Sequence, residues 1–172
     1  MPRFIRQVPE GDNRERMICA DCGHVTYENP KIVVGSVVAA AGLVLLCRRA
    51  IEPRRGFWTL PAGYLELGES VEEGAIREAR EEAEAEIAIE GLLGIFSIGR
   101  IGQVQLMFRA GFADPAAPRF APGAESLEVD LFGWDTIPWA EIAFPTVGWA
   151  LHAWRANPSG RLGPPVGNPL GA

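Results

Sequence analysis

The strongest chemistry in this 172-residue chain lies in Glu78, Glu81 and Glu82. In a helix these side chains stand three and four positions apart and share one face. At 100° per residue from Val71, Glu78 and Glu82 fall within about 20° on either side of it. Val71, Ala75, Ala79 and Ala83 form the apolar stripe by which such a helix packs. Carboxylates at the border of a buried stripe raise one another's pKa and destabilise the helix unless a cation neutralises them. Mg²⁺ or Mn²⁺ fits, because hard divalent ions take carboxylate, carbonyl and water oxygens. The competing reading is a solvated helix braced by Arg77–Glu81 and Arg80–Glu84 pairs, each worth about 0.2–0.5 kcal/mol.

The elements around these residues give them a defined position. Ser70 and Glu73 have the Ser-x-x-Glu spacing of a capping box, which starts the helix at Ser70. A glycine-bounded loop, Gly63-Tyr64-Leu65-Glu66-Leu67-Gly68, leads into it. Gly63, Glu69 and the run Arg77-Glu78-Ala79-Arg80-Glu81-Glu82, at these spacings, resemble the signature of the Nudix hydrolases. Glu84 stands where that family has Gly, and Ala79 and Ala85 replace larger aliphatics. The resemblance implies an α/β fold, an α/β/α sandwich with a mixed sheet. It further implies metal coordination by Glu78, Glu81, Glu82 and the Ala62 carbonyl, with Arg77 orienting a ligand carboxylate and Glu69 supporting it.

Composition bounds the setting. Apolar content of 48% supports a globular core, and 172 residues suffice for one domain. The amino terminus lacks a hydrophobic segment, so no secretory signal is expected. Three cysteines with no even framework point to a reducing, cytoplasmic compartment. No apolar run approaches the ~18–20 residues of a membrane span. The net charge of −6 argues against a broad nucleic-acid surface.

Residues 1–31 read as an extension and 158–172 as a flexible tail, with the catalytic domain over 32–157. Cys19-Ala-Asp-Cys22-Gly23 looks like one zinc knuckle, two ligands short of a tetrahedral site, so zinc within one chain is not expected. The run from Pro9 to Gly35 resembles the linker and second knuckle of Nudix proteins with an amino-terminal zinc ribbon, making this a half ribbon. Cys47 sits in an apolar run and reads as a core residue.

Ile32–Ala40 and Gly42–Cys47 read as a hairpin, and Glu86–Ile98 with Gln103–Ala113 as a second. In the latter, Val104, Leu106 and Phe108 alternate with polar positions. Residues 114–124 form a Pro-rich loop, 126–134 a strand, and the segments after Pro138 two short helices. Arg48, Arg49, Arg54 and Arg55 are candidates for substrate phosphates. Trp58 reads as a core anchor, while Phe57, Tyr64 and Phe96 are candidate adenine contacts. Glu125 and Glu128 are candidate general bases, taken from a loop beyond the helix.

By resemblance the reaction is hydrolysis of a nucleoside diphosphate linked to a group X, and the subgroup it resembles acts on ADP-ribose and FAD, giving AMP. Alternatives are an NADH pyrophosphatase, a triphosphate pyrophosphohydrolase, a non-catalytic nucleotide-sugar-binding regulator, and a zinc adaptor built on Cys19 and Cys22. The expected partner is a small nucleotide, with a homodimer left open.

Overall fold

The computed structural model describes residues 1–157 and 164–171. The chain forms two compact units, Met1–Pro30 and Lys31–Ala172. The smaller is a three-stranded antiparallel sheet of β1 (Phe4–Gln7), β2 (Arg16–Cys19) and β3 (Val25–Thr26). Its β1–β2 connection is held by Asp12, whose carboxylate accepts from the Asn13 and Arg14 amides and from Arg16 Nε. These bonds, Arg16 first, hold the Asp12 carboxyl below its ordinary pKa.

The larger unit is built on a seven-stranded mixed sheet. Its strands are β4 (Lys31–Ala40), β5 (Leu43–Arg49), β6 (Trp58–Thr59), β7 (Ala62–Tyr64), β8 (Ile87–Ile98), β9 (Gln103–Phe112) and β10 (Ser126–Phe132). The main order is β10-β5-β4-β9-β8, with β6 on β5 and β7 on β4. β4 reads as a near-continuous apolar run because both its faces are covered. Even and odd positions go to different cores. Val34 and Val38 pack under α1 (Val71–Ala83), whereas Val37 packs with α2 (Pro145–Ala156) through Leu151 and Trp154. Leu45 and Cys47 against Val44 and Leu46, and Phe108 against Met107, repeat this alternation. Each such fully buried aliphatic contributes about 1.5–3 kcal/mol. The result is the expected α/β/α layering.

Several expectations are refined. The first hairpin is paired only at its tight end, Ala39–Val44 and Ala40–Leu43. Beyond that, β4 runs parallel to β9 from Lys31–Gln103 to Ala39–Gly111, while β5 turns to β10. β9 does not have one apolar and one wet face, since Met107 and Arg109 are buried as well as Phe108. Of the two helices expected after Pro138, the first is a 3₁₀ turn, Trp139–Glu141. Part of the flexible-tail expectation, 158–163 and Ala172, lies outside the described residues. In the described remainder, Val166 forms a parallel bridge with Gly94 of β8. No helix among the described residues is long and apolar enough to cross a membrane.

Candidate active site

α1 begins as its sequence dictates. Ser70 Oγ accepts from the Glu73 amide at 3.2 Å, and the Glu73 carboxylate accepts from the Ser70 amide at 2.7 Å. Ala75, Ala79 and Ala83 are fully buried, small enough to bring the helix close to the sheet. Arg77 then uses all five guanidinium donors. It grips Glu69 through Nε at 3.0 Å and Nη2 at 2.8 Å. It also donates to Glu78 at 2.8 Å, Glu81 at 2.9 Å and the Tyr64 carbonyl at 3.0 Å. The Arg77 bonds hold the Glu69 carboxyl at about 2, with the Glu66 amide adding to the effect. Arg77 therefore ties the loop before the helix to the carboxylates on it. The Arg77–Glu81 brace exists, but Arg80 pairs with Glu86 rather than Glu84.

Glu78 and Glu82 are 7% exposed. Burial is the main cause raising the Glu78 carboxyl above its usual range, and the Arg77 bond opposes it. Burial lifts Glu82 further, to about 8, with the Glu78 charge adding to it. The Ala62 amide, donating to Glu82 at 3.1 Å, and the Arg49 charge pull the other way. Gly63 leaves room for the Glu78 carboxylate here, because a Cβ on it would stand 2.3 Å from Glu78 Oε1 and push that carboxylate aside. Two buried carboxylates with insufficient positive charge, beside Glu81 and the Ala62–Gly63 backbone, form a donor set that suits a hard divalent cation. Among the described residues no three acidic, His or Cys side chains already converge on one point, since Arg77 stands between Glu78 and Glu81.

These groups open onto a cavity of about 1160 Å³. That is at the upper end of the ~300–1,000 Å³ common for ligand sites. Arg77, Glu78, Glu81, Glu82, Ala62 and Gly63 all line it. So do Arg49 and Tyr64 from the candidate substrate contacts. Arg49 donates to the Pro53 carbonyl and lies over the Phe144 ring. The loop 114–124 brings Glu125 to the same cavity by covering the end of α1. The Ala121 amide donates to the Ala83 carbonyl at 2.9 Å and that of Gly123 to the Glu82 carbonyl at 3.1 Å. A Cβ on Gly123 would overlap the Glu81 carbonyl at 1.7 Å, so only glycine fits.

Other candidates lie elsewhere. Arg48 donates to the Gly56 carbonyl and pairs with Glu128 at 3.4 Å on the exposed β5–β10 surface, and neither lines the cavity. Phe57 is covered by the Arg54 guanidinium and is also off the cavity. Phe96 is fully buried and meets Trp149 edge-on, so it belongs to the core. Trp58 is a core residue packed on Phe132. Cys47 is buried, and burial raises its thiol pKa.

Sequence reasoning missed the wall formed by Ser97, Arg100, Gln103, Gln105, Trp149 and Asn168. Gln103 and Gln105 alone carried a signal, as polar positions alternating along β9. In the smaller unit, Cys19 is buried and Cys22 exposed. Amide bonds from Asp21 and Cys22 hold the Cys19 thiol below its ordinary pKa, an environment suited to a thiolate. Among the described residues no third acidic, His or Cys side chain converges on them.

Comparisons with known proteins bear on this geometry. The NUDIX domain model matches residues 29–150, and a Nudix N-terminal zinc-ribbon model matches residues 3–28. An ADP-ribose pyrophosphatase of Methanocaldococcus jannaschii is 35% identical over 71 residues, 41% of this chain and 42% of that protein. The chain thus spans under half the length of that curated relative. The crystal structure of a NUDIX hydrolase from Nitrosomonas europaea superposes with a TM-score of 0.89 at 42% identity, covering 96% of this chain and 93% of the other. The NUDIX domain of Shewanella oneidensis NrtR, solved with ADP ribose, shares the fold at a TM-score of 0.63 and 20% identity, over 77% of this chain and 91% of that one. With the helix carboxylates, the Arg77 brace and the sandwich all in place, the chain belongs to the Nudix family.

Proposed function

We propose that this chain hydrolyses a nucleoside diphosphate linked to a group X, with ADP-ribose, FAD or both as its main substrates and AMP as the common product. The observation that carries this reading is the pair of buried carboxylates, Glu78 and Glu82, facing a cavity large enough for a dinucleotide. Glu78, Glu81, Glu82 and the Ala62 carbonyl would hold Mg²⁺ or Mn²⁺. When bound, such ions neutralise phosphate charge and acidify water. Arg77 fixes where Glu78 and Glu81 point, as groups behind metal ligands do. Arg49 offers its charge to a phosphate oxygen outside the carboxylate cluster. Glu125 takes the proton from the attacking water as its oxygen bonds to phosphorus. The bridging P–O bond breaks, and its oxygen leaves on the second phosphate. The products are AMP and the phosphomonoester of X. That the M. jannaschii relative is an ADP-ribose pyrophosphatase supports the choice of substrate.

The test is kcat/KM for ADP-ribose, FAD, NADH and dGTP under one Mg²⁺ condition, scored by AMP release, with dGMP release for dGTP. ADP-ribose or FAD should lead. A clear preference for dGTP would overturn the dinucleotide reading, and no turnover of any of them would overturn the hydrolase reading.

A further inference from the structure

The described C-terminal residues 164–171 lie beyond the part of the chain matched to the NUDIX domain. They extend the sheet at β8, otherwise an edge strand with open backbone groups. Val166 donates to the Leu93 carbonyl at 3.1 Å and accepts from the Ile95 amide at 2.8 Å, making a parallel rung. β8 makes room for it, since a Cβ on Gly94 would come within 3.0 Å of Val166 Cγ2. A side chain then makes the next rung. The Ser97 amide donates to Asn168 Oδ1 at 2.8 Å, and Asn168 Nδ2 donates to the Ser97 carbonyl at 2.7 Å. A primary amide carries donor and acceptor side by side, so it substitutes for a peptide group, and these two bonds fix which way it faces.

Ser97 and Asn168 both line the cavity. Asn168 retains one N–H and one lone pair after pairing with Ser97. Also on the cavity wall, Gln105 donates to Gln103 at 3.3 Å and Gln103 to the Tyr64 hydroxyl at 3.1 Å. These are neutral donors and acceptors, the chemistry that reads hydroxyl groups. The phosphates are better served by Arg49 and the helix carboxylates with their cation. We propose that Asn168 is a specificity-determining residue: the docked C-terminal segment supplies one wall of the substrate cavity, and its amide, with Gln103 and Gln105, takes the sugar or polyol hydroxyls of X. This rests on the nucleoside diphosphate-X reading above.

The test measures kcat and KM for ADP-ribose with Mg²⁺, and calorimetric Kd for ADP-ribose and AMP with Ca²⁺ replacing Mg²⁺ to suppress turnover, in three full-length proteins: wild type, Asn168→Ala and Val166→Pro. Val166→Pro removes the amide given to Leu93 without altering a polar group of the cavity. Both variants should raise KM and Kd for ADP-ribose about tenfold, the scale of one lost hydrogen-bonding group. Their kcat should stay within about twofold and their AMP affinity unchanged, because AMP lacks X. Unchanged ADP-ribose affinity in both variants overturns the proposal, as does equal weakening of AMP and ADP-ribose. A wild type that binds ADP-ribose without hydrolysing it defeats only the hydrolase reading, and the Kd comparison still decides the role of Asn168. A wild type that binds no ADP-ribose overturns both.

Discussion

Glu82→Gln tests whether a buried, protonated carboxyl stands at the proposed cation site. The Glu82 carboxyl titrates at about 8 in the folded protein, against an ordinary value of 4.5. Between those values the folded state holds a proton that the unfolded chain has released. Stability without metal is therefore full below 4.5 and falls as pH rises through about 8. At about 1.4 kcal/mol per pH decade, the loss accumulates to about 5 kcal/mol by pH 9. That is a large share of a typical ~5–15 kcal/mol stability. Glu78, also raised by burial, adds in the same direction. In the Glu82→Gln variant the side-chain amide stays neutral at every pH, so this slope should be missing. Urea unfolding in EDTA at pH 5, 7 and 9 gives the comparison. The wild-type midpoint should drop by about 2 M relative to the variant, taking an m-value near ~2 kcal/mol/M. Mg²⁺ should restore the wild type most strongly at pH 9 and the variant little. A wild-type-minus-variant difference that does not move with pH in EDTA would refute the argument.

Three further outcomes are expected. Glu82→Gln should lower kcat/KM for the best substrate by about 100-fold or more, since metal polarisation is worth several kcal/mol, and Glu81→Gln should lose less; near-native rates at saturating Mg²⁺ in Glu82→Gln would remove Glu82 from the ligand set. Glu84→Gly should leave turnover unchanged and raise stability by about 1 kcal/mol, because Glu84 ends α1 in a left-handed conformation at φ 47°; thermal unfolding reads this directly. Elemental analysis of the purified protein should find well under one zinc per chain, and one tightly held zinc would show that Cys19 and Cys22 find further ligands.

What was legible in the sequence was local. The capping box, the alanine stripe and the placement of Glu78 and Glu82 at its edge all follow from 3.6-residue periodicity, and the helix has them. The departure at Glu84 became interpretable only through its backbone conformation, since the family's glycine fits a left-handed helix exit. Phe96 was misplaced because what covers its ring is Trp149 of α2, far along the chain, and no local pattern in β8 shows that contact. Arg48 and Arg49 are neighbours on a strand and point to opposite sides, which is why only Arg49 reaches the cavity. Asn168 was hidden in a Pro- and Gly-rich stretch whose composition reads as disorder, and its partner Ser97 lies 71 positions away.

The fastening of Ala121 and Gly123 onto the last turn of α1 has a consequence for how this chain can tolerate change in length. The stretch from Asp114 to Arg119 is exposed, and added residues there would bulge outward while the anchor downstream held. Glu125 lies only two positions past the Gly123 contact, so its place is measured from the helix end and not from the preceding strand. Insertions before Ala121 would therefore bulge into solvent and leave Glu125, the proposed base, in register with Glu82. A single residue inserted between Gly123 and Glu125 would shift that group by one backbone step, about 3.5 Å, which exceeds the tolerance of proton transfer. The loop is thus divided into a part open to change in length and a part closed to it.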